Sequence, residues 1–137
     1  RKMQRIPIEF ICRNAAYGSY LERFPRTKKL KPLGGMIEFS LKSDEAGDPF
    51  LSKEQALDFV SKKEIAHITA AIRKVNKAAS ALCGKIGVEL ADFKVEFGRL
   101  GKQIILIDDF STDTARFFNG GKLLSCFNLI KRLKKTQ

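Results

Sequence analysis

The stretch 90–116, LADFKVEFGRLGKQIILIDDFSTDTAR, constrains this chain most. In it Asp92, Lys94 and Glu96 alternate with Ala91, Phe93, Val95 and Phe97. A strand sends successive side chains to opposite faces, so the three charged groups share one face and the four apolar groups the other. Such a strand belongs in a sheet with its core on one side only. Asp108, Asp109 and Asp113 follow just past the next apolar run, Ile104–Ile107. A carboxylate–lysine–carboxylate row that converges on further carboxylates suits Mg²⁺ and phosphate. Mg²⁺ prefers hard oxygen ligands and keeps waters that a phosphate can replace. A solvated strand face is the plain alternative for the same row.

The rest of the chain reads as alternating short elements. Ile6, Ile8, Phe10 and Cys12 mark a strand over 6–12, and Ile37, Phe39 and Leu41 mark another over 36–42, with Glu38, Ser40 and Lys42 turned the other way. Tyr20–Phe24 suggests a short helical turn. Ser52 with Gln55, and Ser61 with Glu64, are capping boxes that open two helices. From the second, Ile65, Ile68, Ile72, Val75, Ala79, Leu82 and Ile86 recur at helical spacing, with Gly84 and Gly87 as the stop. A hairpin is expected from 90–98 and 103–108, turned at Gly101–Lys102, then a turn over 117–121 and an amphipathic helix over 122–134. Together these give an α+β domain on a largely antiparallel sheet with flanking helices, one domain over 1–137.

Composition narrows the function classes. The net charge of +11 is uneven: residues 1–32 hold nine basic and two acidic side chains, and 116–137 hold six basic ones and no acid. Basic ends can meet nucleic acid, but aromatic residues are not interleaved with them as a stacking platform requires, so nucleic acid is not the expected partner. No apolar run approaches the roughly 20 residues of a membrane span, and no signal peptide precedes the first strand. Three widely spaced cysteines, Cys12, Cys83 and Cys126, read as buried free thiols in a reducing cytoplasm. His67 is the one histidine, which argues against a serine-type triad and a structural zinc site. The chain opens at Arg1, with Met3 its first methionine, which suggests either a fragment or a trimmed chain.

Four blocks occur in order: IPIEFICRNAAYGS, FSLKSDEAGDP, LADFKVEFG and IDDFSTDTAR. Together they resemble the SAICAR synthetase family of purine biosynthesis over residues 6–116, leaving 117–137 as a divergent basic tail. The resemblance implies the C-terminal subdomain of the SAICAR synthetase-like fold, related to ATP-grasp. It implies an ATP-dependent ligase that joins carboxyaminoimidazole ribonucleotide to L-aspartate, in the cytoplasm. It makes Asp92, Lys94 and Arg116 catalytic, and Lys42, Glu96 and Asp108 the ATP contacts, with Glu96 and Asp108 binding through Mg²⁺. Arg13, Ser19, Lys94, Asp113 and Arg116 become substrate contacts, and Asp48 matches one more acidic position. A glycine- and lysine-rich N-terminal subdomain is missing and would be supplied in cis or in trans; the resemblance also leaves room for a homo-oligomer. Asp109 stands where the family usually has Glu, and Thr112 where Pro is common. A non-catalytic remnant acting as a basic binding module is the alternative.

Overall fold

The computed structural model describes residues 2–107 and 111–135. Its elements run β1 (Gln4–Ala15), α1 (Ser19–Arg23), β2 (Pro32–Leu41), β3 (Phe50–Leu51), α2 (Lys53–Ala56), α3 (Lys62–Lys85), β4 (Glu89–Leu100), β5 (Gln103–Leu106), β6 (Ala115–Asn119), β7 (Lys122–Leu123) and α4 (Cys126–Lys135). Among the described residues the strands form one sheet ordered β3-β2-β1-β4-β6-β7, with β5 also on β4, and every pairing is antiparallel. The expected α+β class holds.

One face of the sheet is the core. Ile6, Ile8, Phe10 and Cys12 of β1 meet Phe93, Val95 and Phe97 of β4 and Phe39 of β2. Phe10 lies edge-on to both Phe39 and Phe97, with ring centroids 5.5 and 5.7 Å away, the arrangement that the aromatic quadrupole favours. Helix α3 covers this face through Ile65, Ile68 and Ile72, all at most 1% exposed; each contributes about 1.5–3 kcal/mol by leaving water.

Both expected capping boxes form: the Ser52 and Ser61 hydroxyls accept from the Gln55 and Glu64 amides, and those side chains accept in return. At the other end of α3 the helix runs through Gly84. It stops at Gly87, whose φ of 68° lets the Val88 amide reach Cys83 O and the Gly87 amide reach Gly84 O, a Schellman closure. The stripe departs from expectation at its end. Leu82 is 63% exposed while Cys83 is buried, because the last turn rotates Cys83 onto the sheet.

The hairpin register, unreadable in the sequence, is set by the Leu100↔Gln103 pair across a two-residue turn. Three further expectations fail. The turn expected over 117–121 shrinks to Gly120–Gly121, since Ala115–Asn119 forms strand β6 against β4. The last helix begins at Cys126, because Lys122–Leu123 returns as β7. Ala91 does not share the core face with Phe93. The register shifts between Leu90 and Asp92, putting Leu90 in the main core and Ala91 in a smaller cluster with Ala15 and Phe118, the local effect of a bulge. Cys12 and Cys83 are buried as expected, but Cys126 is exposed. Burial pushes the Cys12 thiol up to about 11, so it stays protonated and serves as core. No helix among the described residues is long and apolar enough to cross a membrane.

A charged strap ties α3 to the far end of β4. Arg99 Nε and Nη2 donate to the two Glu64 oxygens at 2.8 and 2.9 Å, and Nη2 also reaches Phe59 O at 2.7 Å. These bonds hold the Glu64 carboxyl down to about 2, against an ordinary 4.5. A lowered folded-state pKa stabilises above the unfolded value and is lost as pH falls through the folded one. Glu64→Gln keeps the capping box and removes the charge. Urea denaturation should show the variant less stable by about 1 kcal/mol at pH 7, with the gap closing between about pH 4.5 and about pH 2.

Candidate active site

The site lies on the face of the sheet opposite α3, and strand register assembles it. Cα pairing aligns Glu38, Ile11 and Lys94 across β2, β1 and β4. The next row is Met36, Arg13, Asp92 and Arg116, the last from β6. In the row on the other side, Ser40, Glu9 and Glu96 are partners. Alternation carries the expected Asp92–Lys94–Glu96 row onto this face, but its character differs along its length. Asp92 and Glu96 are 3% and 5% exposed, whereas Lys94 reaches solvent.

Asp92 is the hub. Its Oδ2 accepts from Arg13 Nη1 at 3.2 Å and its Oδ1 from Arg116 Nε at 2.9 Å. Arg13, fully buried, spends its other donors on its own chain. Nε goes to Glu38 Oε1 at 2.7 Å, Nη2 to Ser19 Oγ at 2.8 Å, and Nη1 also to Tyr17 O at 3.4 Å. A guanidinium has five donors in a rigid fork, so this arginine orients Asp92, Ser19 and Glu38 together. Arg116 is different. Only its Nε is tied, and its two Nη groups lie over Gly18 and beside the Tyr17 ring, with no acceptor among the described residues.

Gly18 is required where it stands. Its φ of 58° with ψ of −131° is backbone that side chains rarely adopt, and an added Cβ would overlap the Arg116 guanidinium. Ser19 follows at the start of α1. Its hydroxyl oxygen accepts from Arg13, which leaves its proton to donate elsewhere.

These groups border a cleft of about 510 Å³ whose lining includes Arg13, Ser19, Asp92, Lys94, Asp113 and Arg116. The structure thus brings together every residue expected to contact substrate. Glu96 and Lys42 lie outside that lining: Glu96 shares the row of Ser40 and Glu9, which still border the cleft, and Lys42 follows just past the end of β2. Lys42 Nζ donates to Glu96 Oε1 at 2.7 Å and Arg5 Nη1 to Oε2 at 3.1 Å; the first bond raises the Lys42 pKa and keeps it charged. Asp48 instead closes its own loop, its Oδ1 accepting from the Ser43 amide at 2.7 Å. Asp108 and Asp109 lie outside the described residues.

The sequence reading missed Glu9, Glu38, Tyr17, Arg23 and Arg5. Glu9 lines the cleft, with Oε2 3.7 Å from Lys94 Nζ. Its place two positions before Ile11 and four before Arg13 on one strand was a usable signal. Glu38 stood on the recognised polar face of its strand without being singled out. Arg5 and Arg23 carried none, since both reach the site through pairing and turn geometry.

Among the described residues no three acidic, thiol or imidazole groups converge as a metal cage. Glu96 still offers hard oxygens, each accepting one hydrogen bond from a cation. Mg²⁺ takes such oxygens, usually through one or two carboxylates with phosphates and waters completing the shell, and here it would do so beside the Lys42 and Arg5 cations.

Sheet, helix and cleft define an α+β domain with an arginine-lined site. The sequence model of the SAICAR synthetase family matches residues 1–124, and the chain belongs to that family. It is 40% identical over 128 residues to a phosphoribosylaminoimidazole-succinocarboxamide synthase of Caldivirga maquilingensis, covering 90% of this chain and 53% of the relative. The crystal structure of such a synthase from Ehrlichia chaffeensis superposes with a TM-score of 0.84 at 31% identity, covering 98% of this chain and 63% of that one. A SAICAR synthetase solved in complex with ADP gives 0.84 at 30%, with the same coverage. The chain therefore spans about half the length of the curated relatives it matches.

Because Asp92 neutralises two arginines in a buried setting, Asp92→Asn should lower stability by about 3 kcal/mol in urea denaturation. Lys94→Ala, one position beyond Phe93 and exposed, should stay within ~0.5 kcal/mol of the parent.

Proposed function

We propose that this chain carries the substrate-holding part of an ATP-dependent carbon–nitrogen ligase. The ligase joins carboxyaminoimidazole ribonucleotide to L-aspartate, with ATP becoming ADP and phosphate, as a step of purine biosynthesis in the cytoplasm. The observation that carries this reading is the cradle at the end of the cleft. There the Arg116 Nη groups and the Ser19 hydroxyl stand free to donate while Asp92 fixes Arg116 in place. Membership of the SAICAR synthetase family supports it, as does the relative solved in complex with ADP.

In this reading the cradle takes the dianionic ribonucleotide phosphate, because an arginine fork matches phosphate oxygens and the Ser19 proton adds a third bond. Arg13 acts from beneath, holding Ser19 and Asp92. Lys94, exposed in mid-cleft, neutralises the imidazole carboxylate and the charge that builds up as it is phosphorylated. Asp113, at the rim of the cleft, receives the aspartate end. Once the carboxylate has taken the terminal phosphoryl group and ADP has left, the aspartate amine bonds to the carbonyl carbon, the carbon–oxygen bond to the phosphoryl group breaks, and inorganic phosphate leaves as the amine gives up a proton. The chain's main work is positioning and charge neutralisation.

Lys42 faces the nucleotide, and Glu96 with Asp108 would hold Mg²⁺. When bound, that ion supplies charge neutralisation on the nucleotide phosphates. Residues 1–137 make one partial domain, and an N-terminal subdomain, in cis or on another chain, covers the phosphates and keeps water from the acyl phosphate.

Two variants test the division of labour by titration calorimetry. Arg116→Ala should weaken the ribonucleotide on the order of tenfold or more and spare Mg²⁺–ATP; equal loss of both with a lowered melting temperature would make Arg116 structural. Asp108→Asn should do the reverse, and unchanged nucleotide affinity would refute its metal role. ADP release that depends on aspartate, ribonucleotide and an added N-terminal subdomain from a complete relative tests the whole reaction.

A further inference from the structure

Glu38 sits in mid-β2 beneath the cradle, and its side chain is 12% exposed. It serves two cations at once. Arg13 Nε donates to its Oε1 at 2.7 Å, and Arg23 Nη2 donates to Oε1 and Oε2 at 2.7 and 2.8 Å. Arg23 closes helix α1, and its guanidinium lies 3.7 Å from the centre of the Phe50 ring. Through Arg13 the same carboxylate reaches Ser19, the first residue of α1. Both ends of this five-residue helix are therefore moored to one side chain.

The mooring matters because α1 cannot hold itself. A single helical turn is unstable alone, no side chain caps its start, and none of its residues is buried. Yet Gly18, just before that start, lies directly against the Arg116 guanidinium, and Ser19 lines the same cleft as Arg116.

We infer that Glu38 is a positioning residue for anion binding, clamping Arg13 and Arg23 so that α1 keeps the Ser19 hydroxyl in the cleft and Gly18 against the Arg116 guanidinium. The inference rests on the reading of the cleft as a phosphate cradle. It runs against simple charge counting. Arg13, Arg23 and Arg116 face Asp92 and Glu38, a net charge of +1. Removing the Glu38 charge raises that to +2, which on electrostatics alone strengthens anion binding. The clamp predicts the opposite. Glutamine offers one acceptor oxygen, and its NH₂ would turn a donor towards a guanidinium, so one arginine is released and α1 loosens.

The test is inorganic phosphate affinity at fixed ionic strength, read by calorimetry, for the parent chain, Glu38→Gln and Glu38→Asp. Glu64→Gln serves as a control that loses an Arg–Glu pair away from the cleft. Glu38→Gln removes charge and keeps shape; Glu38→Asp keeps charge and shortens the reach. The clamp predicts that both weaken phosphate binding on the order of tenfold, comparable with the loss of a supporting partner behind a metal ligand, while Glu64→Gln leaves it unchanged. Tighter binding by Glu38→Gln with parental binding by Glu38→Asp overturns the clamp and leaves the cradle. Should Glu38→Gln fail to fold, Glu38→Asp decides: parental affinity overturns the inference and weakened affinity supports it. A parent chain that binds no phosphate removes the cradle reading, and the inference with it.

Discussion

The carboxylate of Asp92 is shared by two arginines in a place that water scarcely reaches, and the rest of the polar face depends on that sharing. A buried charge is costly unless it is paired and hydrogen-bonded. Here one anion on β4 fixes Arg13 on β1 and Arg116 on β6, the strands either side of it. The three central strands are thereby joined by side chains as well as by their backbone ladders. The pairing also sets the two guanidiniums apart. One is wholly engaged and internal, while the other is anchored by a single nitrogen with its fork left free. A site for an anion needs both, a fixed base and an unspent donor pair.

The two faces of the sheet have separate jobs. The face under α3 is apolar and closed, with Phe10, Phe39 and Phe97 interlocked and three isoleucines of α3 laid across them. Such packing gives the sheet a rigid register. The other face can then carry charges at fixed spacing, because their backbone positions are decided by the core behind them. The local devices follow the same division. Capping boxes and the glycine closure of α3 place the helix on the core side, whereas Gly18 and the short α1 belong to the polar side, where a backbone conformation open to glycine lets Arg116 approach.

The cleft stands on one side of a domain that spans about half the length of its relatives. It opens towards solvent at Lys94 and Asp113. The excess of cations lies in residues 1–32 and 116–137, which supply Arg13 and Arg116, while the middle of the chain supplies Asp92 and Glu38.

Much of this was legible in the residues. Alternation along β4 determined that Asp92, Lys94 and Glu96 share a face, since a strand has a period of two whatever its neighbours. The Ser52–Gln55 and Ser61–Glu64 boxes and Gly87 determined where α2 and α3 start and where α3 stops, because capping is settled within one turn of chain. The four motif blocks determined the family. β6 escaped the reading because its paired Phe117 and Phe118 serve two different apolar clusters and hide the alternation. Ala91 was misplaced because a bulge depends on the partner strand. Above all, the sequence could not say which cation meets which carboxylate. Arg13 lies 79 residues from Asp92, and Arg116 lies 24 from it. Those meetings are decided by inter-strand register, where a slip of one residue turns every side chain to the other face, and register is chosen by packing of the whole core.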